Sequence, residues 1–137
     1  MNDMNFSSLI SNIHWVPVVV LTIVSFAVGI VWHRPFLFGE TWKPENYPDG
    51  MPKISAPKIF GGSAVMHFLA ILSLSAVISG RGGTYGLEAG FLISIVWVLP
   101  AMSGTYLFAN RSIKLLVIDS GMYIVLFSLS GFILGIW

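Results

Sequence analysis

No residue between Asp3 and Arg34 carries a fixed charge, and three later stretches are nearly as bare. A helix needs about 20 mostly apolar residues to cross ~30 Å of hydrocarbon. The first candidate span runs from about His14 to His33. Trp15 and Trp32 lie ~26 Å apart along a helix, close to the separation of two membrane interfaces. The others cover about 59–79, 87–109 and 113–136. Runs that are apolar on all sides, such as Phe91–Trp97, lack the strict in–out alternation of a membrane barrel. Open strands would leave backbone groups unpaired in lipid, so helices remain. The expected fold is all-α, an integral membrane four-helix bundle forming a single domain over 1–137.

Composition agrees. Among 137 residues, 55% are apolar and 9% charged, with a mean hydropathy of +0.84, against about a quarter charged in soluble domains. A net charge of +1 leaves no basic excess for nucleic acid, and the absence of cysteine excludes disulfides and thiolate metal sites. The first span has no basic residue before it and no small-x-small site after it, so it reads as a retained helix rather than a signal peptide.

Positive charge sets the expected orientation. Arg34, Lys43, Lys53, Lys58, Arg111 and Lys114 fall in the two connections on one side, and only Arg81 on the other. That places both termini outside and both charged connections in the cytoplasm, with a bacterial inner membrane as the expected location. Residues 34–58 hold Pro35, Pro44, Pro48, Pro52 and Pro57 and read as a proline-rich cytoplasmic loop that cannot be helical throughout. A glycine-rich link (80–86) and the shorter Asn110-Arg111-Ser112 join the last three spans, making them antiparallel neighbours.

Small residues let membrane helices approach closely. Gly86 and Gly90, and Gly131 and Gly135, are spaced to do so, either inside one chain or between protomers. Pro100 should kink the third span or free the carbonyl of Val96.

An ionisable group in hydrocarbon marks a candidate site. Asp119 and His67 each lie ~10 Å in from the cytoplasmic side. Ser103, Tyr106 and Tyr123 share or flank that level, and His33 and Arg34 close the first span. These residues suggest a cytoplasm-facing polar pocket that binds or conducts a proton, an ion or a small ligand. The alternative is a satisfied hydrogen-bond network that fixes helix register. No nucleophile motif or phosphate loop is present, so no enzyme, cofactor or metal is expected. His33, His67 and Asp119 could form a ligand set, but nothing in their spacing demands one. The expected partners are the lipid bilayer and either further copies of the chain or the subunits of a larger membrane complex, in which it would be an accessory subunit.

Residues 29–42 run Gly29-Ile-Val-Trp-His-Arg-Pro-Phe-Leu-Phe-Gly-Glu-Thr-Trp42, and the end of the chain carries Arg111-Ser112, Ile118-Asp119-Ser120-Gly121-Met122-Tyr123, Gly131 and Trp137. This pattern resembles domain-of-unknown-function family 1761. The resemblance implies a small bacterial protein with about four membrane helices. It singles out Trp32, Pro35, Phe38, Gly39, Trp42 and Asp119 without implying an activity. Physically, Pro35 stops the first helix, Gly39 permits a turn, and the Phe36–Phe38 run lies at the interface as an anchor or as a re-entrant lid over the pocket.

Overall fold

A computed structural model describes residues 6–53 and 55–137, and every regular element among them is helical. Following the short α1 (Phe6–Ser11), α2 (Trp15–Trp32) forms the first candidate span. Pro17 falls in its first turn, where the missing N–H would lack a partner in any case. The Ser75 hydroxyl accepts the N–H of His14 just before it, at 3.1 Å.

The proline-rich connection is more helical than its composition suggests. A π-helical turn (Pro35–Gly39) leads directly into α3 (Glu40–Asn46). The second span, α4 (Ala56–Ile78), starts about one turn earlier than the sequence reading placed it, because Pro57 is tolerated in a first helical turn.

The third span is composite: α5 (Gly83–Ile93), a π-helical segment (Ser94–Val98) and α6 (Leu99–Phe108). The π register closes with the N–H of Leu99 on the carbonyl of Ser94, immediately before Pro100, which cannot donate. The lost hydrogen bond therefore falls where the helix is already irregular. The last span, α7 (Ile113–Ile136), is capped by Ser112, whose hydroxyl accepts the N–H of Leu115 at 3.3 Å.

All four spans are long and apolar enough to cross a membrane, so the chain is a multi-pass membrane protein. They are not equivalent. In α7, 44% of the most apolar window is buried, against 22% in α2 and α4 and 6% in the third span. The last helix is thus the hub, with α2 and α4 packed together on it and α5 laid along it. The core of Val18, Leu21, Ile71, Leu74, Ile78, Leu126, Phe127 and Leu134 lies at the end of the bundle opposite residues 34–58.

The glycines explain how closely α5 and α7 approach. A Cβ on Gly86 would overlap the carbonyl of Gly131, and one on Gly131 would overlap that of Gly86. Gly90 bears in the same way on the carbonyl of Phe127, and Gly135 on that of Gly82. Both glycine pairs therefore serve contacts within one chain, the first of the two roles their spacing allowed.

The link between α4 and α5 also caps α7. The N–H of Gly82 reaches the carbonyl of Gly135 at 2.8 Å, and that of Gly80 reaches Leu134 at 3.2 Å. Terminal carbonyls that would otherwise lack donors are satisfied this way. Gly80 and Gly82 hold φ of 72° and 97°, a region in which a side chain is strained.

This contact makes a prediction. Gly131→Ala should destabilise the bundle by about 1–3 kcal/mol, the usual cost of overpacking, and lower the thermal unfolding midpoint in detergent. Gly104→Ala, where nothing lies within 4 Å of the added carbon, should leave it unchanged.

Candidate functional site

The carboxylate of Asp119 organises the end of the bundle that carries residues 34–58. It lies ~10 Å along α7 from Ser112. Buried polar groups need partners, and buried charges need them most. Here Trp42 Nε1 donates to Oδ1 at 2.8 Å and the Tyr106 hydroxyl to Oδ2 at 2.5 Å. His33 Nε2 stands 3.5 Å from Oδ1.

Why these groups converge follows from the local sequence. Trp32 ends α2, and its indole N–H donates to the carbonyl of Ile118 at 2.9 Å. Its ring edge faces Gly121, where an added Cβ would stand 3.3 Å away. Arg34 is extended (φ −76°, ψ 151°), as the residue before a proline tends to be. The helix therefore breaks there and restarts at Pro35. The N–H of Gly39 returns to the carbonyl of Arg34 at 3.0 Å, and Gly39 is buried where a side chain would overlap the carbonyl of His33. Ring contacts then tie the two halves, Trp32 to Phe38 at 4.6 Å and His33 to Trp42 at 4.5 Å.

Beyond the break, α3 lies along the first two turns of α7. Trp42 meets Asp119, Glu45 meets Lys114 at 3.2 Å, and Asn46 accepts from Arg111 at 2.6 Å. Partner numbers fall as α3 advances, so α3 runs antiparallel to α7. The first span ends where α2 stops, at the level of Ile118, and α3 continues along α7 beyond it. Phe36 is 74% exposed on the outside of the break.

The geometry also fixes protons. His33 Nδ1 lies 2.8 Å from the carbonyl of Gly29. A carbonyl only accepts, so Nδ1 carries the hydrogen and a neutral His33 turns its Nε2 lone pair toward Asp119. A neutral imidazole facing a bare carboxylate would set lone pair against anion. One proton shared by the pair removes the conflict, as imidazolium with carboxylate or as imidazole with carboxylic acid.

The remaining sequence candidates sit elsewhere. His67 is not among the hydrogen-bond partners of Asp119. Its Nδ1 turns back to the carbonyl of Ser63 at 2.8 Å, on its own helix, and its ring stacks on Tyr123. The expected equal depth is corrected: His67 stands level with Tyr123, one turn further along α7 than Asp119, and His33 and Trp42 take its place at Oδ1. Tyr123 points to His67 and Phe127. The hydroxyl of Ser103 donates to Leu99 in its own helix at 2.7 Å. Arg34 is exposed and contributes backbone to the break. Among the described residues no third His, Asp or Glu joins His33 and Asp119 in a metal-binding group.

Sequence reasoning had Trp42 only as part of a loop pattern and missed it as a donor to the acid. The contacts of Glu45 and Asn46 with α7 were also missed. The available signal was that a buried acid needs donors, and an indole N–H in the segment next to the helix break supplies one.

A multi-pass helical membrane protein with an acid held at a helix break is the class that fold and site define. The chain belongs to the family described as Protein of unknown function (DUF1761), which it matches over residues 16–135. That range takes in the break, α3, Asp119 and both glycine pairs. No curated protein and no solved structure matches it.

The docking of α3 carries a pH dependence. The Ser112 hydroxyl and then the Lys114 ammonium hold the Glu45 carboxyl below its ordinary value of 4.5. A depressed folded value means the contribution is present above the unfolded value and lost as pH falls through the folded one. Amide hydrogen exchange in residues 41–46 should therefore accelerate, relative to the intrinsic rate, as pH falls below the ordinary carboxyl value of 4.5. In Glu45→Gln that acceleration should disappear.

Proposed function

We propose that this protein is a proton-binding membrane protein whose working element is the His33–Asp119 pair. One observation carries the reading: the bond of His33 Nδ1 to Gly29 leaves Nε2 and the carboxylate facing each other with room for one proton between them. Trp42 and Tyr106 hold the carboxylate oxygens in place from α3 and α6. Because α2 ends at this level, the short and largely exposed α3 is what separates the pair from the end of the bundle. The role is binding or transfer of a proton rather than bond-making chemistry, since both carboxylate oxygens already accept from the protein's own donors.

Asp119→Asn tests this. In lipid nanodiscs with ¹⁵N-labelled histidine, the wild-type His33 resonances should report uptake of one proton shared with the acid. In the variant, His33 should titrate as an isolated imidazole, with the helical signal unchanged. Proton flux into vesicles holding a pH dye should fall at least tenfold in the variant if the pair conducts. Identical titration curves in the two proteins would end the proposal.

The orientation supported by charge puts this end of the bundle in the cytoplasm of the cell that makes it, in the inner membrane if that cell is a bacterium. Arg34, Lys43, Lys53, Lys58, Arg111 and Lys114 lie there, against Arg81 at the other end. A phosphatase fused after Trp137, active only outside the cytoplasm, should be active. Activity confined to a cytoplasmic reporter at the same position would invert the topology.

A second reading is an accessory subunit or a homo-oligomer. Its support is Gly61 and Gly62 on α4 and Gly104 on α6, where an added Cβ would meet no neighbouring element within 4 Å. Such surfaces favour helix association in membranes. Stoichiometric companions after purification in gentle detergent would favour the subunit.

A further inference from the structure

One half-buried imidazole outside the Asp119 site borders a hollow, and among the described residues its Nε2 has no hydrogen-bond partner. His67 lies ~16 Å along α4 from Ala56. Its Nδ1 must carry the ring hydrogen, because the atom it meets at 2.8 Å is the carbonyl of Ser63. Its Nε2 therefore keeps a lone pair, and among the described residues no group donates to it.

The hollow beside it has a volume of about 60 Å³ and is lined by Met66, His67, Ala70, Tyr123 and Phe127. Met66 is 63% exposed, so the mouth opens sideways, toward lipid at this depth. Aromatic rings dominate the walls. The rings of His67 and Tyr123 are near parallel, inclined by 18° with centroids 6.2 Å apart. Phe127 stands 5.9 Å from Tyr123, and Phe26 backs His67 at the same distance.

Those features select a chemistry. Aromatic walls accept a planar ring, and apolar surroundings reject a bare ion. A lone pair on nitrogen asks for a hydroxyl hydrogen. A closed cavity of about 150 Å³ can enclose benzene. This smaller, open hollow therefore seats the hydroxyl-bearing edge of a ring and leaves the rest of the molecule in the membrane. Met66 can move to widen the mouth, since its side chain is flexible.

We infer that the His67–Tyr123 hollow is a lateral binding site for a membrane-dissolved aromatic alcohol of the phenol or quinol type. The ligand hydroxyl donates to His67 Nε2, and the ring edge rests against Tyr123 and Phe127. The site is separate from the His33–Asp119 pair and does not depend on what that pair does.

The test compares 4-propylphenol with 4-propylanisole, which has a similar body and no hydroxyl hydrogen. Each is titrated into the full chain in nanodiscs with ¹⁵N-labelled histidine. The phenol should move the His67 Nε2 resonance upfield in a saturable way and leave His33 unmoved, while the anisole should not shift Nε2. Ala70→Phe, which fills the hollow and retains His67, should weaken the phenol at least tenfold, with the His33 signal reporting that the variant is folded. Equal responses to phenol and anisole, a response without saturation, or a shift confined to His33 or His14 would each overturn the proposal. So would unchanged affinity in a folded Ala70→Phe variant, and the phenol–anisole comparison stands on wild-type protein even if that variant does not fold.

Discussion

A carboxyl group placed in hydrocarbon must be given donors, and this requirement organises one end of the molecule. The Asp119 side chain is only 16% exposed, so partners from the chain have to serve its oxygens. They arrive from three directions: Trp42 from α3, Tyr106 from α6 and His33 from the end of α2. A continuous first span could not deliver both His33 and Trp42 to the same oxygen. The break at Arg34 does so by ending one helix beside the acid and starting the next beneath it.

The opposite end is built on contact rather than charge. There α5 and α7 touch backbone to backbone across Gly86, Gly90, Gly131 and Gly135, and the Gly80–Gly82 link closes the last carbonyls of α7. Lipid offers helices no hydrophobic reason to associate, so close van der Waals contact has to hold them. The bundle is thus firmly packed at the end with the apolar core and held by hydrogen bonds and ion pairs at the other. Polar contacts with few buried side chains are the kind that open locally, and α3 has no buried residue at all.

Much of this was legible in residue order, though unevenly. Charge-free runs marked the spans because burying a charge in lipid is costly, and Asp119 stood out for the same reason. Pro35 and Gly39 marked the break because one lacks an N–H and the other lacks a side chain. The pairing of the acid was misread. His67 was expected level with Asp119, but α4 begins at Ala56, so its ring lies beside Tyr123 one turn deeper and is turned back to Ser63. The proline count in residues 34–58 also pointed away from helix, although Pro35 and Pro57 sit in first turns, where proline does no harm.

Residue order alone settled that the chain is helical and lives in a membrane, since hydropathy and the need to satisfy backbone groups act locally along each segment. It also settled which glycines could permit close approach. Three-dimensional packing decided which histidine faces the acid, that Trp42 serves it, and that the glycine faces meet each other within one chain. Those outcomes depend on helix rotation and on the path of a broken helix. Both emerge from contacts among segments far apart in the chain, and neither is written in the hydropathy of any one of them.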